Sequence, residues 1–230
     1  AMIFQPQNAC LVMTGNFSDG MELAAIEALS ELRNTTAQPP FTQSLPIGFC
    51  MRDEQSDLLE EVESDFASVQ LAFDVDSEQV YPVAAEVLST ITAGNDDSML
   101  FQALREEQAL VAEIESQISR VGQFSRLVIR YDVRSEWLKD TLNKVFAYLH
   151  RLTMYVRPAR LNQLRTQFTT NNAMLTDDTA ALNDRLGWAW MSGDTAQADL
   201  DAAAAQYNEL TAEELLDAAQ TVFRPENLSI

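Results

Sequence analysis

Near its middle, this chain reads Leu100-Phe-Gln-Ala-Leu-Arg-Glu-Glu-Gln-Ala-Leu-Val-Ala-Glu-Ile-Glu115. The first half predicts a short amphipathic helix over about Asp97–Glu107, which ends in the polar cluster Arg-Glu-Glu-Gln. The second half predicts a strand, because Leu110, Ala112 and Ile114 alternate with polar side chains. The helix is therefore expected to run into the strand almost without a loop.

A second strand follows, and the two strands together predict an antiparallel hairpin with Gly122 in its turn. If the apolar faces of the two strands align, Glu113 and Glu115 lie beside Arg126 and Arg130 on the solvent side. Opposite charges across strands contribute about a few tenths of a kcal/mol each. The apolar face of the second strand consists of Leu127, Ile129, Tyr131 and Val133.

The remaining elements predict one more strand in this sheet and a large share of helix. Val69 to Val75 alternates like a half-buried strand. A helix is expected from about Tyr81 with Gly94 as its stop, and Ser135 is expected to cap a long helix. The other predicted elements are a strand at about Ala9–Thr14 and helices at about Asp19–Arg33, from Pro158, at Leu182–Trp190 with Trp188 and Trp190 as packing residues, at Ala196–Tyr207, and from the capping box Thr211-x-x-Glu214. This order predicts an α+β fold, in which helices cover an antiparallel-rich sheet.

Composition and charge exclude several classes of partner. The chain has 230 residues, of which 47% are hydrophobic, enough for a full core. The net charge of −20 argues against nucleic acid and against anionic membranes, because phosphate groups bind cations. No apolar run approaches the roughly 18 residues of a membrane-spanning helix. The acids concentrated between Asp53 and Asp97 form either a solvated surface or a face that attracts basic peptides.

The side chains offer little catalytic chemistry. A catalytic zinc needs three protein ligands, usually with histidine among them, and His150 is the only histidine. A serine or cysteine triad also needs a histidine as its base. The acidic runs Asp53–Asp57 and Glu60–Glu63 lack the glycine-punctuated spacing of a calcium loop. The sequence thus predicts no catalytic residue, no metal ligand and no cofactor in this chain.

The helix-to-strand passage resembles that of the pitrilysin/insulinase family of zinc metallopeptidases, which includes mitochondrial processing peptidase. The family pattern reads roughly Leu-Phe-x-x-Leu-Arg-Glu-x-x-Gly-Leu-x-Tyr. Pro6–Gly15 and Pro225–Ile230 resemble two further strand segments of the family. The zinc motif His-x-x-Glu-His is missing, so the resemblance is to the non-catalytic, C-terminal type of module. The matching residues are Leu100, Phe101, Leu104, Arg105, Glu106 and Leu110, while Ala109 stands for the glycine and Ala112 for the tyrosine.

The resemblance implies a substrate-binding role for Arg105. In the family, an arginine and a tyrosine of the non-catalytic module reach toward the substrate carbonyl held at the zinc of the other module. Arg105 falls on the arginine position, whereas Ala112 cannot donate a hydrogen bond from the tyrosine position. The alternative is that Arg105 only interacts with the dipole at the C-terminal end of its helix.

The resemblance also implies a division of the chain. Residues 1–34 are expected to be the closing strand and helix of a preceding module, residues 35–46 a linker, and residues 47–230 the non-catalytic α+β module. Two adjacent prolines, Pro39 and Pro40, exclude a helix from the linker. Because an apolar strand and helix are not stable when exposed, we expect residues 3–33 to fold back against this module or to pack against a second copy, which would give a homodimer of the isolated chain.

The functional hypothesis follows from the resemblance. The chain is expected to form part of a peptide-binding chamber without being an enzyme by itself. Its expected partners are a peptide substrate and a catalytic module or subunit that carries the zinc. In the alternative hypothesis, the whole protein is a pseudo-peptidase that binds or scaffolds without hydrolysis.

Overall fold

The computed structural model describes residues 11–18, 20–30, 64–76, 79–121, 124–192 and 199–230. Among these residues, no helix combines the length and the apolar character that crossing a bilayer requires. In chain order the elements are α1 (Met21–Ser30), β1 (Phe66–Val75), α2 (Pro82–Ala93), a π-helical turn (Phe101–Glu106), β2 (Val111–Val121), β3 (Phe124–Arg134), α3 (Leu138–Met154), α4 (Pro158–Met174), α5 (Thr179–Ser192), α6 (Leu200–Glu209), α7 (Ala212–Val222) and β4 (Leu228–Ser229).

The chain divides into two compact units. Residues 48–166 and 206–230 form one unit, which contains the sheet and which we call the sheet unit. Residues 1–47 and 167–205 form the other, whose regular elements are helical within the described part, and we call it the helical unit. The predicted linker at residues 35–46 lies outside the described residues, so the predicted division at residues 34 and 46 stays a prediction.

The sheet is antiparallel, with strand order β2-β3-β1-β4. Its register pairs apolar side chains in rows across β1 and β3: Val69 faces Tyr131 and Leu71 faces Ile129. This confirms the predicted α+β class with an antiparallel sheet. The predicted charge pairing is confirmed for one pair, because Glu115 pairs with Arg130 in the register and their charged atoms lie 3.9 Å apart. Arg126 instead faces Ser119 of β2 and donates to Asp74 of β1 at 2.6 Å.

Helices cover the apolar face of the sheet. Leu88 of α2 and Leu215 of α7 are fully buried, and α7 contacts α2, α3 and β1. The ring of Phe73 meets that of Phe223 edge to face, with centroids 5.1 Å apart. A buried side chain of this size contributes about 1.5–3 kcal/mol, so the strand rows and the helices that cover them stabilise the sheet unit together.

The predicted capping box at the start of α7 is confirmed. The backbone amide of Glu214 donates to the Thr211 hydroxyl at 3.1 Å, and the Thr211 amide donates to the Glu214 carboxylate at 2.7 Å. Two donors at the helix start are thus satisfied reciprocally. Two hydrogen bonds from Thr211 lower the pKa of the Glu214 carboxyl. The bond from the Thr211 backbone amide has the larger effect, and that from its hydroxyl the smaller.

Two predictions about local structure are wrong, and a third is confirmed. Ser135 does not cap α3, because its hydroxyl donates to the Ser64 carbonyl and a 3₁₀ turn, Ser135–Trp137, precedes the helix. The prediction that Gly94 stops α2 is confirmed, because the helix ends at Ala93 and Gly94 is its C-cap, although its φ of −84° is not left-handed. A Cβ at this glycine would instead lie 2.7 Å from the Thr90 Cα, so close backbone approach explains the glycine. The described part of the predicted Ala9–Thr14 strand, Leu11 to Thr14, contains no strand.

The N-terminal segment contacts α5 within the helical unit. The Thr14 hydroxyl donates to the Thr179 carbonyl at 2.7 Å, and Val12 lies beside Gly187. Trp188 and Trp190 were predicted to pack in a core or against a helix. They are 73% and 66% exposed, so neither is a core residue, and packing against a helix stays a prediction.

The helix before β2 ends in a left-handed residue. Ala109 has a φ of +50°, a conformation that favours glycine because an L side chain crowds the following carbonyl. Its amide donates to the Arg105 carbonyl at 3.1 Å, and the Leu110 amide donates to the Leu104 carbonyl at 2.8 Å. These bonds turn the chain from the helix into β2 across residues 107–110, so the passage is short, as predicted, but contains four residues.

Ala109→Gly is expected to stabilise the chain by about 0.5–1 kcal/mol, because relief of the left-handed strain exceeds the extra freedom of glycine in the unfolded state. Ala112→Gly is the matched control. Ala112 is exposed, and its φ is not positive, so glycine there is expected to destabilise by a similar amount. Urea unfolding of both variants measures the difference. Equal destabilisation by the two substitutions would contradict the strain at Ala109.

Glu214→Gln is expected to remove a pH dependence of stability. Because the folded-state pKa of Glu214 is lowered, its stabilisation is present above the unfolded-state pKa and is lost as the pH falls through the folded-state pKa. The variant should be less stable at pH 7 by a few tenths of a kcal/mol, since the group is exposed, and equally stable near pH 3. Glu213→Gln, at the neighbouring position, is the control. Unfolding curves at both pH values test this, and a pH-independent difference would refute it.

Candidate functional site

Arg105 lies at the C-terminal end of the π-helical turn and lines two clefts of the sheet unit. The larger cleft, of about 550 Å³, extends along the edge of the sheet past Glu113, Glu115 and Arg130. The smaller cleft, of about 420 Å³, lies at the start of β2 and includes Ala112. The arginine predicted to bind substrate is therefore accessible from two adjoining concave surfaces.

The π-helical turn sets the direction of the Arg105 side chain. The Glu107 amide donates to the Gln102 carbonyl at 2.9 Å, one residue further back than in an α-helix. The Gln102 side chain donates to the Asp96 carbonyl at 2.6 Å, which anchors the turn to the segment after α2. Such wide turns are frequent at functional sites, because they rotate side chains out of the ordinary helical positions.

The guanidinium of Arg105 stacks on an aromatic ring and is only loosely paired. It lies 4.7 Å from the ring centroid of Phe101, and its Nε is 3.9 Å from the Glu106 carboxylate. Its side chain is 43% exposed. Within the described parts of the chain it makes no hydrogen bond, so its donors remain open to a ligand. The alternative prediction, an interaction with the helix dipole, is compatible with the same position.

Ala112 lies in the smaller cleft together with Arg105. The prediction that Ala112 belongs to the apolar face of β2 is wrong: Val111 and Ile114 are the buried pair, and a bulge between them leaves Ala112 and Glu113 exposed. The bulge thus brings the two positions of the Arg-x₆-Tyr pattern to one surface. The methyl group of Ala112 offers no hydrogen bond there.

Carboxylates outnumber cations in the larger cleft. Asp96, Glu113, Glu115 and Asp132 line it, against Arg105 and Arg130. Two of these groups already have close partners: the Ser68 hydroxyl donates to Asp132 at 2.6 Å, and Arg130 donates to Gln70 at 2.9 Å. The remaining negative charge favours a ligand with positive charge near this edge.

Tyr131 is a residue of this site that the sequence did not single out. It lines the larger cleft, is 3% exposed, and its hydroxyl has no hydrogen-bond partner among the residues that the structure describes. Burial raises the pKa of the phenol far above its ordinary value, so the group stays neutral. Alternation along β3 predicted its burial correctly, but alternation says nothing about whether a buried hydroxyl has a partner.

The described residues do not form a zinc site. They contain no group of three or more histidine, cysteine or acidic side chains that could hold a metal ion. His150 is exposed on α3 and belongs to no such group. A zinc ion therefore does not fit this part of the chain, and no chemical step is assigned to one here.

A family model describes the peptidase M16 inactive domain and matches residues 1–168 of the chain. No curated protein matches the sequence. Among solved structures, the chain is similar to a protease from Helicobacter pylori, with a TM-score of 0.78 at 15% identity over 95% of this chain and 52% of that one.

Two further structures share the fold. The peptidase M16 inactive domain from Pseudomonas fluorescens has a TM-score of 0.61 at 17% identity, over 76% of this chain and 42% of that one. The periplasmic protease PqqL from Escherichia coli has a TM-score of 0.67 at 14% identity, over 94% of this chain and 24% of that one. The chain thus spans about half of the first two relatives and a quarter of the third.

The purified chain is expected to hold no stoichiometric zinc and to hydrolyse no peptide. The reason is the single histidine, since three ligands and an open position are needed. Metal analysis by mass spectrometry and a fluorogenic peptide assay check this. One zinc per chain that disappears in His150→Ala would contradict it.

Proposed function

The chain belongs to the peptidase M16 inactive domain family, and on that premise we propose that it forms one wall of a peptide-holding chamber in a zinc peptidase. It is a non-catalytic module of this family. The zinc is proposed to lie in a catalytic module or partner subunit outside this chain. The observation that supports the chamber most directly is Arg105, whose exposed guanidinium lies between two clefts with unused donors.

The proposed role of Arg105 is to hold a peptide in place. A guanidinium presents up to five N–H donors in a rigid fork, and peptide carbonyls are the acceptors that every peptide offers. Stacking on Phe101 restricts the side chain before binding, so less conformational entropy is lost on binding. The carboxylates of the larger cleft would favour peptides with basic side chains along the same wall.

The partial coverage of longer relatives supports a partner module. The Helicobacter pylori protease is about twice the length that the chain matches, and PqqL is about four times that length. We therefore propose that a catalytic, zinc-bearing module contacts this one. A homodimer of the isolated chain is a separate proposal. It is supported by Leu23 and Ile26 of α1, which are 71% and 57% exposed and would be covered by a second copy.

Ala112 favours a second candidate function. Without a hydrogen-bond donor at this position, stabilisation of a developing oxyanion by this module would depend on Arg105 alone. Removal of one such donor typically lowers the rate by roughly 10²–10³-fold. A pseudo-peptidase that binds or scaffolds peptides needs no such donor. Peptide hydrolysis by the complete protein, with its partner module, separates the two functions.

Arg105→Ala in the complete protein is expected to weaken peptide binding or turnover by about tenfold, the size of one charge-assisted hydrogen bond. The melting temperature should hardly change, because an exposed arginine contributes well under about 1 kcal/mol. Arg151→Ala is the matched control, since Arg151 also stacks on an aromatic ring, 5.5 Å from the Tyr148 centroid, and lines neither cleft. If both variants bind peptide like the wild type, Arg105 has only a structural role.

A further inference from the structure

We propose that Arg105 and Arg134 together bind a carboxylate group of a peptide in the smaller cleft. Both arginines line this cleft, and Arg134 belongs to no motif that the sequence singled out. The inference rests on the proposed peptide-binding function, because it names the chemical group that this part of the wall would take.

The two arginines share a state that Arg151 also shows away from both clefts: each is held by an aromatic ring and not by an acceptor. The Arg105 guanidinium lies 4.7 Å from the Phe101 ring centroid, and that of Arg134 lies 5.3 Å from the Trp137 centroid. The nearest carboxylates, Glu106 and Glu136, are both at 3.9 Å, beyond hydrogen-bond distance. Side-chain exposures of 43% and 58% leave the donors open.

Three other arginines of the described chain show the contrast. Arg126 donates to Asp74 at 2.6 Å, Arg130 donates to Gln70 at 2.9 Å, and Arg160 donates to Gln163 at 2.8 Å. These guanidiniums are committed to protein acceptors. A guanidinium that stacks but donates to nothing is restricted in position while its fork of N–H groups stays available.

The topology brings the two cations to the same place. Val111 pairs with Val133 at the end of the β2-β3 ladder, and Arg134 is the next residue of β3. On the other strand, Leu110 follows directly on the left-handed turn that ends the helix of Arg105. The turn therefore places a helix-end arginine and a strand-end arginine in the lining of one cleft.

The rest of the lining fits an apolar residue next to a single negative charge. Phe66, Val111 and Trp137 provide apolar surface in the cleft, and Phe66 is 55% exposed. Asp132 and Glu106 also line it, which balances the two arginines. Asp132, Glu106 and the overall charge of −20 would repel a doubly charged phosphate more strongly than a singly charged carboxylate. A carboxylate can also be bound by one bidentate pair of hydrogen bonds from a guanidinium.

The carboxylate has two possible sources, the C-terminus of a peptide and an aspartate or glutamate side chain. Three probes separate them: acetyl-Leu-Phe with a free carboxylate, acetyl-Leu-Phe amide, and acetyl-Leu-Glu amide. Their binding to the full 230-residue chain is followed by NMR, through the arginine Nε–Hε signals and the dissociation constants.

The expected result is that acetyl-Leu-Phe shifts the Nε–Hε signals of Arg105 and Arg134. Arg134→Gln should weaken its binding about tenfold, the size of one charge-assisted interaction. Arg134→Lys should weaken it less, because it keeps the charge and loses only the fork. Acetyl-Leu-Phe amide should bind the wild type about tenfold more weakly than acetyl-Leu-Phe does. Its affinity should not fall further in Arg134→Gln, because it has no carboxylate for Arg134 to bind. Arg151→Gln is the control and should bind like the wild type, and melting curves confirm that every variant is folded.

The source follows from the third probe. Binding of acetyl-Leu-Glu amide as tight as that of the free acid assigns the site to acidic side chains, and weaker binding assigns it to the C-terminus. Equal affinities for acid and amide, unchanged affinity in Arg134→Gln, or no binding of the acid would each overturn the carboxylate site. Capped peptide that binds through Arg105 alone would overturn it while supporting the chamber. If the acid binds through both arginines but peptide binding by the complete protein is insensitive to Arg105→Ala, the carboxylate site is supported and the proposed role of Arg105 in the chamber is overturned.

Discussion

The left-handed turn at Ala109 is the constraint on which the candidate site depends. Its two backbone hydrogen bonds, from Ala109 to Arg105 and from Leu110 to Leu104, end a helix and start an edge strand within four residues. If the helix ended one residue earlier or later, the register of β2 would shift, and every side chain of the strand would change face. The turn therefore fixes both the outward direction of Arg105 and the burial of Val111.

The regular parts of the sheet unit could be predicted because their signals are local. Alternation in β1 and β3 identifies Leu71 and Ile129 as core residues, and the capping box at Thr211 follows from a spacing of three residues. The bulge in β2 could not be predicted, since Ala112 and Ile114 alternate as well as any strand. Only the pairing with β3 shows that Val111, not Ala112, faces the core.

The candidate site was predictable only in part. Arg105 was found through a resemblance of residue pattern, and its exposure agrees with a binding role. Arg134 and Tyr131 were not found, because each is defined by what surrounds it in space. An arginine on a strand is ordinary in sequence; what distinguishes Arg134 is the stacking on Trp137 and the lack of an acceptor in the described surroundings. A single sequence contains neither fact.

Gly94 and Ala109, which follow two successive helical segments, differ in how strictly the backbone restricts the residue type. At Gly94, any side chain would collide with the backbone of Thr90, so a substitution there requires the backbone to shift. At Ala109, the backbone requires a left-handed conformation, but an alanine can occupy it for about 1–2 kcal/mol. The turn requires a left-handed main-chain conformation at this position, and it does not require a glycine. A search pattern that demands glycine there would pass over chains like this one, although their folds keep the same turn, and such chains must balance the strain with stability gained elsewhere.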